Sequence, residues 1–147
     1  MEAGEASYLQ VKALMDGDTV AGGLTNTSSS AYIRGGTARF GNPGRTRTRP
    51  FADIEVIDEE KSREQAGRQF DAMIRIRITS DRDKQRDSSE TDEEAIEGRL
   101  ATVLNGVSPA TGSTGWNFSV MSRLRSYIHF DGKETMKIVE YRLHGDK

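Results

Sequence analysis

The chain contains no cysteine, two histidines and a single tryptophan in 147 residues. Without thiols it can build neither a disulfide framework nor a thiolate metal site, and with 30% charged residues it suits a reducing cytoplasm or an assembly built there. His129 and His144 stand at no metal-ligand spacing with a carboxylate pair and read as solvated or interface residues. Long apolar runs are missing too: the longest are a few residues, against the roughly 20 that span a bilayer. No secretory leader is visible, so a soluble protein with no membrane partner is expected. There is also little net charge. At a formal −2, the field of the whole protein gives no reason to expect a nucleic-acid binder, and any basic function must be local.

Catalytic signatures are equally scarce. The sequence has no G-x-S-x-G and no P-loop, and the glycines of "GGTARFGNPG" lack the strand-to-helix setting that cradles phosphate. Glu59, Glu60, Asp81, Asp83, Asp87 and Glu90 fall in hydrophilic stretches interleaved with Lys and Arg, the pattern of a solvated surface rather than of an acid/base pair. No catalytic residue, metal ligand or cofactor is assigned, and an enzyme is not expected.

What is present is the pattern of one domain over residues 1–147, with an extended arm at about 35–49 and a charged loop at about 80–90. In "EASYLQVKALMDG", Ala6, Leu9 and Ala13 lie on one side at helical spacing and Tyr8, Val11 and Met15 on another, which predicts a helix covered from two sides and stopped near Gly17. A short strand is expected around Ala31 to Arg34. In "PFADIEVI", Ala52, Ile54 and Val56 alternate with acidic residues as in a half-buried strand. "FDAMIRIRITS" is the clearest strand, with Phe70, Ala72, Ile74, Ile76 and Ile78 on the core side and Arg75 and Arg77 on the other.

Thr91 and Glu94 have the spacing of a capping box, and they open a helix whose stripe is Ile96, Leu100, Val103 and Leu104, closed by Asn105-Gly106. "WNFSVMSRLRSYIHF" then alternates, with Phe118, Val120, Leu124, Ile128 and Phe130 on one side and Arg123, Arg125 and His129 on the other. "DGK" supplies a tight turn into the last strand, "ETMKIVEYRL". The expected fold class is α+β: a mainly antiparallel β-sheet with two α-helices packed on one face and long extended loops.

The arginines stand out against this frame. Arg39, Arg45, Arg47 and Arg49 sit among Gly, Pro and Thr in "RFGNPGRTRTRP", and the last three alternate with threonines, so an extended arm would project them to one side. Arg75 with Arg77 and Arg123 with Arg125 repeat the spacing on two strands. Polar sheet faces often carry arginine; the functional alternative is that these eight residues present guanidinium groups to carboxylates of a neighbouring subunit or to DNA phosphates. Trp116 and Tyr127 lie nearby, but one stacking residue does not make a single-strand binding surface.

The order of elements (the helix near Ala6 to Met15, the Pro-led "RPFADIEVI", a long excursion, "FDAMIRIRITS", the capped "TDEEAIEGRLATVL", and a hairpin ending "IVEYRL") resembles the tail terminator, or tail completion, proteins of long-tailed bacteriophages. The resemblance covers nearly the whole chain and is one of pattern, not of motif. It implies a virion protein of the tail and neck, assembled in the host cytoplasm as a hexameric ring. Such a ring caps the tail tube at its final length, joins the DNA-filled head, and passes genomic DNA through its lumen. The implied partners are the chain itself, the tail tube protein and head–tail connector proteins. The arginine-rich excursion from Gly35 to Arg49 and the charged loop before the second helix depart from the family pattern. Another head–tail connector protein of the neck, and a small nucleic-acid-binding module using the arginine face, stay open as alternatives.

Overall fold

The computed structural model describes residues 2–19, 23–25, 31–41, 48–59, 69–81, 92–109 and 115–146. They form α1 (Ala3–Asp16), β1 (Thr37–Arg39), β2 (Phe51–Glu59), β3 (Gln69–Asp81), α2 (Asp92–Leu104), β4 (Asn117–Phe118), β5 (Ser122–Asp131) and β6 (Glu134–Asp146). The six strands make one sheet in the order β1-β2-β3-β6-β4, with β5 also paired to β6. Every pairing is antiparallel except β1 with β2. The expected α+β class is therefore the observed one.

Burial alternates through β3, with Phe70, Ala72, Ile74, Ile76 and Ile78 buried and the residues between them half-buried. Across the register Ile74 faces Tyr141 and Ile76 faces both Ile54 and Val139, so one apolar row crosses three strands. Ile96, Leu100 and Leu104 of α2 and Val11 and Met15 of α1 join that cluster, with Val103 packed at its margin. Burial pushes the Tyr141 phenol up to about 12, as expected for a hydroxyl whose ionised form has lost water.

Several local expectations are revised. Helix α1 buries a single stripe, Ala6, Ser7, Val11 and Met15, while Leu9 and Ala13 face outward, so it is covered from one side. Residues Ala31 to Arg34 are not a strand. They form bends in which Ile33 N–H donates to Leu24 (2.6 Å) and Gly36 N–H to Ile33 (3.1 Å), and the strand begins later, at Thr37. The capping hydroxyl of Thr91 lies outside the described residues, whereas the helix end falls as expected, with Gly106 at φ +76°.

The alternating stretch from Trp116 to Phe130 is interrupted. After β4, Met121 turns fully inward, where its carbonyl accepts from Gly106 (2.8 Å) and its N–H donates to Val107 (3.0 Å). The tight turn sits one residue later than Asp131-Gly132: Asp131 and Glu134 are paired, and Gly132, at φ +58°, is the first of the two residues between them.

Candidate subunit interface

Six of the eight arginines lie among the described residues, and each meets a carboxylate of its own chain; Arg45 and Arg47 lie outside them. Arg49 bridges Asp81 (3.0 Å) and Glu134, two carboxylates that face each other across β3 and β6. The end of the arm is thereby tied to the sheet. Arg39 pairs with Glu5 of α1 and lies 4.4 Å from the centre of the Tyr8 ring.

On the sheet face away from the helices, Glu55, Arg75, Glu140 and Arg125 stand in one row, directly opposite one another across β2, β3, β6 and β5. Arg75 reaches Glu140 at 2.9 Å and Glu55 at 3.7 Å, Arg77 reaches Glu55 at 2.9 Å, and Arg125 closes on Glu140 from the other side. Glu140 is fully buried. Burial alone would raise its pKa, but the hydrogen bonds and charges of Arg125 and Arg75 overcome that penalty and hold the carboxyl below its ordinary value.

Arg123 and Arg125 do not share a face. A bulge between them adds a residue to β5 and turns Arg123 toward α2, where it meets Glu97 at 2.6 Å, while Arg125 keeps the outer face. Glu97 also takes Lys137 (2.7 Å) and Ser126 (2.8 Å). Burial opposes ionisation there too, yet Lys137, Ser126 and Arg123 lower the pKa of Glu97 on balance.

The side chains expected on the apolar side of the hairpin are largely exposed: Val120 53%, Leu124 48%, Ile128 39% and Phe130 51%, with Tyr127 at 39% on the opposite face. The reason is position. Strand β5 is an edge strand, paired with β6 alone among the described residues, and α2 does not extend over it beyond Glu97 and its partners. Phe118 alone of that row is buried, its ring against Gly145, where a Cβ would come within 2.9 Å of it.

Sequence reasoning thus singled out the arginines for their charge and grouped the apolar residues of β5 on one side without saying what covers them. In the structure the described arginines are engaged within the subunit, and the exposed apolar edge is the feature that remains to be covered. Among the described residues a ten-residue strand that pairs with β6 alone and exposes large apolar side chains is a template for association. At the opposite end of the sheet a cleft of about 290 Å³ is lined by Gly4, Glu5, Arg39, Phe40, Ile54, Glu55 and Val56. Among the described residues no group of three or more His, Asp or Glu side chains is placed to hold a metal, and no helix is long and apolar enough to cross a membrane.

Neither protein-family models nor curated proteins give a match to this chain. Solved structures do. A chain from the virion of a native gene transfer agent particle is 13% identical, covers 99% of this chain and 95% of its own length, and superposes with a TM-score of 0.63. A second solved chain, 11% identical, covers 97% of this chain and 92% of its own at a TM-score of 0.57. At these identities the likeness shows a shared fold, one that is also found in a chain of that virion.

Proposed function

We propose that the chain is a structural protein of a phage-like virion that forms a ring at the neck, terminates the tail tube and joins the tail to the DNA-filled head. The observation that carries this reading is the near-complete fold match to a chain of a gene transfer agent virion. That match covers the same elements whose order resembles the tail terminators. An edge strand that exposes several large apolar side chains supports assembly, because such an edge is rarely left uncovered by the state in which a protein works. In this role the chain needs neither catalysis nor a cofactor. Its partners are its own copies, the tail tube protein and the head–tail connector proteins, with genomic DNA passing through the lumen.

The internal pairing of Arg75, Arg77 and Arg125 favours this reading over a nucleic-acid-binding module. Three guanidinium groups paired with the two carboxylates of Glu55 and Glu140 leave little net charge to offer phosphates. Electron microscopy of particles carrying the tagged protein tests the role: density at the head–tail junction is expected, and a single copy per particle, or a position on the head shell or tail tip, would contradict it.

A further inference from the structure

We infer that Arg49 is an electrostatic latch, opened by the screening of charge, that holds the return of the arm to the end of the sheet. Its place follows from strand register. Phe51 faces Thr79 across β2 and β3, so two residues earlier Arg49 comes level with Asp81, the last residue of β3. Asp81 faces Glu134, the first residue of β6, and Glu134 faces Asp131, the last of β5. Acidic positions thus stand side by side where three strands meet, and like charges directly opposite one another destabilise a sheet. Arg49 answers them: one terminal nitrogen of its guanidinium donates to Asp81 at 3.0 Å and the other to Glu134.

The same side chain fixes backbone. Thr48 and Pro50 pack on Gly35, whose N–H donates to the Pro50 carbonyl oxygen (2.8 Å) and whose lack of a side chain admits the Thr48 carbonyl. Holding Arg49 therefore holds the point where the excursion closes back on the residues that precede β1.

Exposure separates this pin from the others. Arg75 with Glu140 and Arg99 with Asp18 each join a half-buried guanidinium to a buried carboxylate, and parting either would strand a charge away from water. At the latch the side chains are 35% exposed for Arg49, 45% for Asp81 and 38% for Glu134, so water and ions can replace each partner at little cost. Arg39 with Glu5 is as open, but Arg39 belongs to β1 and keeps its register with Ile54 whether or not the pair forms. Of these four arginines, Arg49 alone lies outside a helix or strand, so its side chain is what anchors its segment. The latch belongs to the single subunit and stands apart from the ring reading.

Amide exchange of the purified protein in about 10 mM and about 1 M salt tests it, with the Gly35 amide reporting the latch and the Ile76 amide, in the central β3, reporting the whole fold. Arg49→Gln is expected to speed exchange at Gly35 about fivefold at low salt, the upper range for a solvent-exposed ion pair, and to leave Ile76 unchanged. Asp81→Asn with Glu134→Gln should do the same, and adding Arg49→Gln to that double variant should change nothing more, because all three side chains act as one unit. At high salt the wild-type Gly35 amide should exchange as fast as that of Arg49→Gln.

Equal exchange at Gly35 in wild type and Arg49→Gln at low salt would overturn the inference. A rise of the same size at Ile76 would do so as well, by making Arg49 a support of the whole fold, and so would a further rise when Arg49→Gln is added to the carboxylate double variant, because the guanidinium would then act through other partners.

Discussion

Arg75 donates from Nε to Oε2 of Glu140 at 2.9 Å, and the two residues stand directly opposite each other where β3 and β6 pair. Glu140 is fully buried, and its other flank is held by Arg125, which is largely exposed. Removing Arg75 leaves a buried carboxylate with one solvated partner. Arg75→Ala should therefore destabilise the fold by about 3 kcal/mol, whereas Arg75→Met combined with Glu140→Leu should lie within about 1 kcal/mol of wild type. Urea denaturation of the two variants checks this; equal losses would mean that the pair is not desolvated.

The same carboxylate sets a pH dependence. Glu140 and Glu97 both titrate below their ordinary values in the folded state. A depressed pKa contributes stability that is fully present above the unfolded value and is lost as pH falls through the folded value. Stability should thus be flat around neutrality and decline below the usual carboxylate range, and Glu97→Gln with Glu140→Gln should flatten that acid limb. Denaturation midpoints at a series of acidic pH values measure it, and an unchanged slope in the double variant would contradict the assignment.

Two leucines separate core from edge. Leu104 is fully buried among the β3 isoleucines, and Leu124 is 48% exposed on β5. Leu104→Ala should cost about 2–5 kcal/mol through lost transfer energy and the cavity left behind. Leu124→Ala should stay within about 0.5 kcal/mol in the monomer, as surface substitutions usually do. Comparable thermal shifts would place β5 inside the core.

Two glycines differ in the same way. A Cβ on Gly35 would lie 1.9 Å from the Thr48 carbonyl oxygen, while one on Gly98, in α2, would meet nothing within 4 Å. Gly35→Ala must push the two backbone segments apart and should destabilise by about 1–3 kcal/mol. Gly98→Ala should stabilise by about 0.5–1 kcal/mol, the helix-interior difference between the two residues. Melting curves of both variants would show opposite shifts.

The contrast between β3 and β5 shows which parts of the fold were legible in the sequence. Alternation located β3 residue by residue because it is a central strand whose one face is core, and four-residue spacing located α2 in the same way. In β5 the same alternation was not enough, because period two tells which residues share a face but not whether anything covers that face. The bulge between Arg123 and Arg125 has no marker in composition, so their separation onto opposite faces appears only once the register with β6 is known. The arginines were visible, but their carboxylate partners were not. Glu55, Arg75 and Glu140 come together through strand pairings that link residues 20 and 65 positions apart, which no local pattern encodes. The apolar members of the candidate interface were likewise present in the sequence, with Ile128 and Phe130 on the face opposite Arg125 and His129 as expected, but their exposure was not readable there.

The most direct test of the ring account is the mass of the purified protein measured over a range of concentrations. A closed assembly of six subunits should weigh six times the subunit mass of 16.3 kDa, and that species should grow at the expense of monomer without passing through a dominant dimer. A mass fixed at one subunit across the whole range, with no ring recovered from particles, would contradict it.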